Sequence, residues 1–236
     1  MKLKKINILE INGSPRGLKG NTAKIVDEIL NVSKQEAEIF GYSLNLQRIE
    51  LHKLNIKNCI GCENCFREGS CSLSKTDDLK KVEEELLKSN VIIFSSPVYF
   101  IHISGLMKNF LDRIALWTHT FKLRNKYGLA VASSGGTGLE DTLDYLEIAL
   151  RALGMWSIGK VGNVFYHPIK TKKDAKKYGK KLIQMVHNDS GRPDKTDYEI
   201  FQAMKFKASM KKVLPYDWKY WNERNWFNLK HFSEEQ

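Results

Sequence analysis

The chain has 236 residues, 42% of them hydrophobic, and a formal net charge of +11. That apolar content supports a packed core and excludes a generally disordered chain. No apolar run reaches the roughly 20 residues of a membrane-spanning helix, the short apolar stretch behind the basic first residues is a poor secretory leader, and a cytoplasmic protein is the expectation.

Residues 6–11 are almost continuously apolar and predict a strand covered on both faces, as in a parallel sheet. A small-residue loop, 13–22, separates it from a helix over 22–40, with Ala23, Ile25, Val26, Ile29, Leu30 and Val32 apolar and Gly41 placed to end it. Leu44, Leu46, Ile49 and Leu51 alternate as a second strand over 43–51, completing a right-handed βαβ unit. Residues 55–75 have no steady period. They hold every cysteine, Cys59, Cys62, Cys65 and Cys71, spaced C-x2-C-x2-C-x5-C. Thr76 or Asp77 caps a helix to about residue 89.

A third strand at 91–94 runs into Ser95, Ser96, Pro97, Val98, Tyr99 and Phe100, and a helix is predicted over 104–117. A strand over 127–132 opens into a flexible polar turn, 133–138, followed by a helix over 139–153 and a weaker strand over 156–164. Lys170, Lys172, Lys173, Lys176, Lys177, Lys180 and Lys181 mark a helix ending near 186, read as a solvated lysine face. No nucleic-acid-binding signature accompanies it, so neither nucleic acid nor membrane is expected as a partner. Alternating strands and helices predict an α/β fold, doubly wound around a five-stranded parallel sheet.

The division expected is a domain over 1–187, with the cysteine loop at 55–76, and a C-terminal extension over 188–236. In the extension, a helix over 198–214 would turn Ile200, Phe201, Met204, Met210 and Val213 inward. The tail after it, with Tyr216, Trp218, Tyr220, Trp221, Trp226, Phe227 and Phe232, is too short for its own core and must pack on the domain or on a second subunit.

The loop after the first strand has the parts of a phosphate cradle. Gly13, Gly17 and Gly20 permit tight turns, Ser14, Asn21 and Thr22 offer side-chain hydrogen bonds, Arg16 adds a cation, and the helix start presents unpaired N–H groups. It lacks the Gly-Lys-Ser/Thr of triphosphate loops and the dinucleotide Gly-x-Gly-x-x-Gly, which leaves a monophosphate. Ligands of open α/β sheets bind beyond the carboxyl ends of the strands. There the turns at 97–100 and 133–138 should join the cradle, with Tyr99 or Phe100 beside a flat ring.

In Gly13-Ser14-Pro15-Arg16 with Gly20-Asn21-Thr22, in Ser96-Pro97-Val98-Tyr99-Phe100 and in Gly105-Leu106-Met107-Lys108-Asn109-Phe110-Leu111-Asp112-Arg113, the sequence resembles the flavodoxin-like NAD(P)H-dependent FMN reductases. The four-cysteine segment resembles their iron–sulfur flavoprotein branch. The resemblance covers about residues 5–187. It implies FMN at the carboxyl edge of the sheet, with Ser14, Arg16, Asn21 and Thr22 on its phosphate, Pro97, Val98, Tyr99 and Phe100 along its ring, and Gly135 and Gly136 on the other side. It also implies a homodimer or homotetramer.

Thiolates are soft ligands that suit an iron–sulfur cluster or zinc. The compact spacing is nearer a ferredoxin-type run than the paired knuckles of structural zinc. A [4Fe-4S] cluster on the four cysteines and plain thiols both remain open. The implied activity is transfer of electrons from NADH or NADPH through FMN to a quinone, a nitro or azo compound, or a protein; a flavodoxin-type electron carrier is the alternative. No catalytic acid, base or nucleophile is nominated. Of His102, His119 and His167, His102 is the one placed to line the pocket. Arg16, Arg113 and Arg124 are the arginines that could favour the extra phosphate of NADPH.

Overall fold

The computed structural model describes residues 3–164 and 168–235, with side chains for all of these except 168–171. His167 and the Lys170 side chain lie outside the described residues.

Five strands pair in parallel. They are β1 (Lys4–Asn12), β2 (Tyr42–Glu50), β3 (Val91–Tyr99), β5 (Tyr127–Ser134) and β6 (Trp156–Val164), in the order β2-β1-β3-β5-β6. A sixth strand, the two-residue β4 (His102–Ile103), pairs antiparallel with the end of β3. The sheet is therefore the expected parallel one with a hairpin strand added.

The two faces follow the period of a strand. Ile6, Ile8, Val91, Ile93, Leu129 and Val131 point to one face. Leu9, Ile11, Ile92, Phe94 and Ala130 point to the other. The first face is covered by α1 (Asn21–Ile39) and the lysine-rich α7 (Pro168–Asn188). The second is covered by α3 (Leu79–Lys88), α4 (Gly105–Arg113) and part of α6 (Leu139–Ala152).

Four elements differ from the sequence reading. The helix expected over 104–117 breaks into α4 and a single turn, α5 (Leu116–His119), at Ile114, whose N–H closes a tight turn onto Leu111. The cysteine segment contains a short helix, α2 (Asn64–Glu68). The helix after α2 is α3, which starts at Leu79; Asp77 still accepts the Leu79 N–H at 3.1 Å. The helix expected over 198–214 is α8 (Lys195–Ala208), which leaves Val213 two-thirds exposed and Met210 exposed, rather than inward. A capping box between Asp194 and Asp197 sets its start.

The last segment contributes α9 (Pro215–Glu223) and aromatic side chains that fill the first face of the sheet. Phe201, Trp221, Trp226 and Phe232 are buried around Phe121, which stacks on Phe201 with ring centres 5.5 Å apart. Arg151 of α6 bridges to Asp194 and Asp197, fastening α8 to the sheet domain.

His231 is buried in this cluster, 4.0 Å from Phe232 between ring centres, and its Nδ1 accepts the Ser233 N–H. An accepting Nδ1 means a neutral ring, and burial pushes its pKa down to about 4. In the unfolded chain histidine titrates near 6.5, so between these values the unfolded state binds more protons and stability falls as pH falls. Thermal unfolding of the parent should lose on the order of 2 kcal/mol between pH 6.5 and 4 that a His231→Gln variant does not lose.

Candidate functional site

The carboxyl ends of β1, β3 and β5 meet beside α1. β1 and β3 are neighbours whose following chains leave in opposite directions, which opens a crevice at that edge. The crevice is a cavity of about 400 Å³ lined by Ser14, Arg16, Gly20, Asn21, Thr22, Pro97, Val98, Tyr99, Ser133, Ser134 and Gly135, with Asn163 and Lys172 at its far side.

The loop after β1 is held by backbone and side-chain ties. Gly13 N–H donates to Ser95 O at 2.8 Å and the Ser104 hydroxyl donates to Gly13 O at 2.6 Å. Gly20 is the N-cap of α1, so no side chain covers the first N–H groups of that helix. A Cβ at Gly20 would stand 2.8 Å from the Ser14 hydroxyl, so glycine is what lets the turn close. Thr22 is buried, and its hydroxyl lies 2.6 Å from that of Ser133 at the end of β5. Arg16, Lys24 and Lys172 at the walls outnumber the one carboxylate, Glu28, so the cavity favours an anion. Asn163 Oδ1 and Glu28 Oε2 are buried without a hydrogen-bond partner.

Beneath the loop lies a buried carboxylate. Glu10, wholly buried in β1, pairs with Arg48, its register partner on β2. Arg48 also reaches Asp27 of α1 at 2.5 Å. Glu10 Oε1 accepts the Ser95 hydroxyl from β3 at 2.6 Å and the Asn12 amide at 3.1 Å, and Asn12 Oδ1 in turn accepts the Ser14 N–H at 2.8 Å. Burial lifts the Glu10 carboxyl above its ordinary pKa despite Arg48, Ser95 and Asn12.

Phe100 and Gly136 are not brought to this cavity. Tyr99 pairs with His102, leaving Phe100 and Ile101 as a two-residue turn with φ of 47° and 68°. Both positions are left-handed, as a type I′ hairpin requires, and the turn throws Phe100 into solvent, fully exposed. His102 is turned away as well, its ring 4.6 Å from Tyr145 at a second, acidic cavity. Arg113 is no anchor for a nicotinamide phosphate: it is buried, donating to Asp77 at 2.5 Å and to Lys57 O at 2.7 Å. Arg124 is engaged by Glu235 in the extension. Asn163 belongs to no motif, and in the sequence Lys172 reads as part of a solvated lysine face; the fold alone brings both to the cavity.

The cysteine segment lies beyond the second face of the sheet. Its two ends are pinned together: Asn55 N–H donates to Asp78, Lys57 N–H to Asp77, and Asn109 of α4 to Ile56 O. Burial works against the Asp77 charge, but the hydrogen bonds from Arg113, Leu79 and Lys57 together hold its pKa below the ordinary value. All four cysteines are free thiols; Cys59 and Cys62 are exposed, Cys65 and Cys71 half-buried. Burial pushes the Cys65 thiol up, with smaller contributions from Cys71, Cys59 and Cys62. Among the described residues no three such side chains stand at metal-holding spacing.

Comparison with known proteins agrees with this geometry. The family model for NADPH-dependent FMN reductases matches residues 6–166. An iron-sulfur flavoprotein of Methanocaldococcus jannaschii is 34% identical over 60% of this chain and 70% of its own length. One of Archaeoglobus fulgidus is 33% identical over 66% of each, so the chain spans about two thirds of these relatives. Among solved structures, an NADH:FMN oxidoreductase superposes with a TM-score of 0.55 at 22% identity, covering 80% of this chain and 92% of the other, a likeness of fold.

Glu10→Ala should cost about 3–5 kcal/mol in urea unfolding, because it strands Arg48 and frees the Ser95 and Asn12 side chains. Arg48→Met, which removes the cation and keeps the volume, should cost a similar amount by stranding the carboxylate.

Proposed function

The chain belongs to the NADPH-dependent FMN reductase family, and on that premise we propose that it is an FMN-dependent NAD(P)H oxidoreductase. It passes electrons from a reduced nicotinamide to a quinone, a nitro or azo compound, or a protein acceptor. The observation that carries this reading is the cavity at the switch point: an open helix N-terminus capped by a glycine and walled by three cations.

The residues fit the cofactor. A phosphate would meet the uncovered N–H groups of α1, the hydroxyls of Ser14 and Thr22, the Asn21 amide and the Arg16 guanidinium. Pro97, Val98 and Tyr99 would line the ring, with Gly135 opposite, where nothing lies within 4 Å of a would-be Cβ. The partnerless Asn163 Oδ1 is an acceptor waiting for a donor from a ligand. Bound FMN would supply the hydride and electron chemistry. The chain's own part is to orient the ring edge and hold the phosphate. None of these tasks needs an acid or base.

The four thiols also fit a soft-ligand group by their donor chemistry: they are free and lie within thirteen residues of one another in sequence. We assign Cys59, Cys62, Cys65 and Cys71 as ligands of a [4Fe-4S] cluster, which would supply one-electron transfer. The archaeal relatives, both iron-sulfur flavoproteins by name, support that assignment.

Two measurements test the reading. Arg16→Ala should weaken FMN binding roughly tenfold to a hundredfold in a fluorescence-quenching titration, the worth of one charge-assisted hydrogen bond; unchanged affinity would place the phosphate elsewhere. Anaerobic reconstitution should give about four irons per chain, and fewer than about one would sink the cluster assignment. Tight FMN binding without steady turnover of NADH or NADPH would favour a flavodoxin-type carrier instead.

A further inference from the structure

The C-terminal extension does more than fill the sheet face, because α9 also reaches the cysteine segment. Tyr216 lies against Gly69, the left-handed residue that ends α2 at φ 76°; a Cβ there would stand 2.1 Å from the Tyr216 ring. The next residue, Asp217, is wholly buried and holds His119 Nδ1 at 2.5 Å. His119 in turn stacks on Phe66, with ring centres 4.7 Å apart and planes 28° from parallel. Trp221, one turn further along α9, donates to His119 O at 2.7 Å. Two aromatic contacts thus bear on α2 and the glycine that ends it, at Phe66 and Gly69, both between Cys65 and Cys71.

We infer that α9 is a clamp on the cysteine segment, in which Tyr216 and the His119–Asp217 pair are positioning residues that set the places of Cys65 and Cys71. The distribution of burial agrees. Cys65 and Cys71, which flank the clamped turn, are half-buried, whereas Cys59 and Cys62, which precede it, are exposed. Cys65, Phe66 and Tyr216 pack together against the second core. The base of the loop is already fixed by Asp77, Asp78, Asn109 and Arg113, so what α9 adds is restraint at the far end. Tyr216 and Asp217 lie outside the stretch that matches the family model, which ends at residue 166. The α9 half of the clamp therefore belongs to the extension, and His119 is its anchor in the shared domain.

The inference rests on the cluster assignment for its iron measurement only; the thiol measurement stands apart from it. In the metal-free full-length chain, iodoacetamide labelling is followed cysteine by cysteine by mass spectrometry. Tyr216→Ala should speed labelling of Cys65 and Cys71 by about tenfold, the size of a modest local opening. Cys59 and Cys62 should stay at parental rates, measured well below the thermal transition of the variant. Tyr216→Phe, which keeps the ring on Gly69, should behave as the parent. Parental rates at Cys65 and Cys71 in Tyr216→Ala overturn the inference. If that variant loses its thermal transition, Asp217→Asn, which keeps the volume, is read by the same two rates and the same criterion. After anaerobic loading with iron and sulfide, Tyr216→Ala should release iron to a chelator faster than the parent, and equal release counts against the clamp. A parent that takes up no iron sinks the cluster assignment and leaves the thiol result to decide.

Discussion

One buried carboxylate joins the parts on which the cavity depends. Glu10 sits inside β1, and a charge in that position is tolerable only because partners come to it from several elements. Arg48 arrives from β2, Ser95 from β3, and Asn12 from the end of β1 itself. Arg48 also carries the tie to Asp27 on α1. The Asn12 carbonyl then passes the constraint to the Ser14 N–H, the first polar group of the cradle. The position of the loop relative to the sheet is thus set from below by a charge network. Such networks are unforgiving, since each member left without its partner is a buried polar group in a medium that cannot hydrate it.

From that fixed edge the molecule divides into a shared part and an added part. The parallel sheet, the cradle and the base of the cysteine loop lie within the stretch common to the family. The remainder supplies aromatic mass to one sheet face and then wraps around to α2. The extension is therefore not a separate layer. Its Trp221 illustrates this, since the buried ring fills the first core while its N–H holds the carbonyl of His119, the residue that stacks on the cysteine helix.

How much of this was legible in the sequence follows from where the information lies. Continuous apolar runs such as 91–94 give strands in any context, because both faces of a parallel sheet are covered. The cradle was legible because Gly13, Ser14, Gly20 and Thr22 are consecutive enough to read as one loop. Phe100 was misplaced for a conformational reason. A two-residue hairpin normally announces itself with Asn-Gly, and here Phe100 and Ile101 occupy left-handed positions that bulky residues avoid. Gly138 packs so closely on Ile101 that a Cβ would stand 2.5 Å from its carbonyl oxygen, a tertiary contact no local pattern carries. The short helices α2 and α9 were missed because so few turns give too little periodicity, and both are held by long-range packing.

The pairing of α2 with α9 joins segments roughly 150 residues apart, which has a consequence for biosynthesis. At ribosomal speeds of about 5–20 residues per second, Cys71 joins the chain roughly 7–30 seconds before Tyr216 does. During that interval the thiols are presented on a loop fastened only at its base. The growing chain thus has a built-in period of open access to its sulfurs, closed when translation delivers the helix that packs over the turn at Gly69.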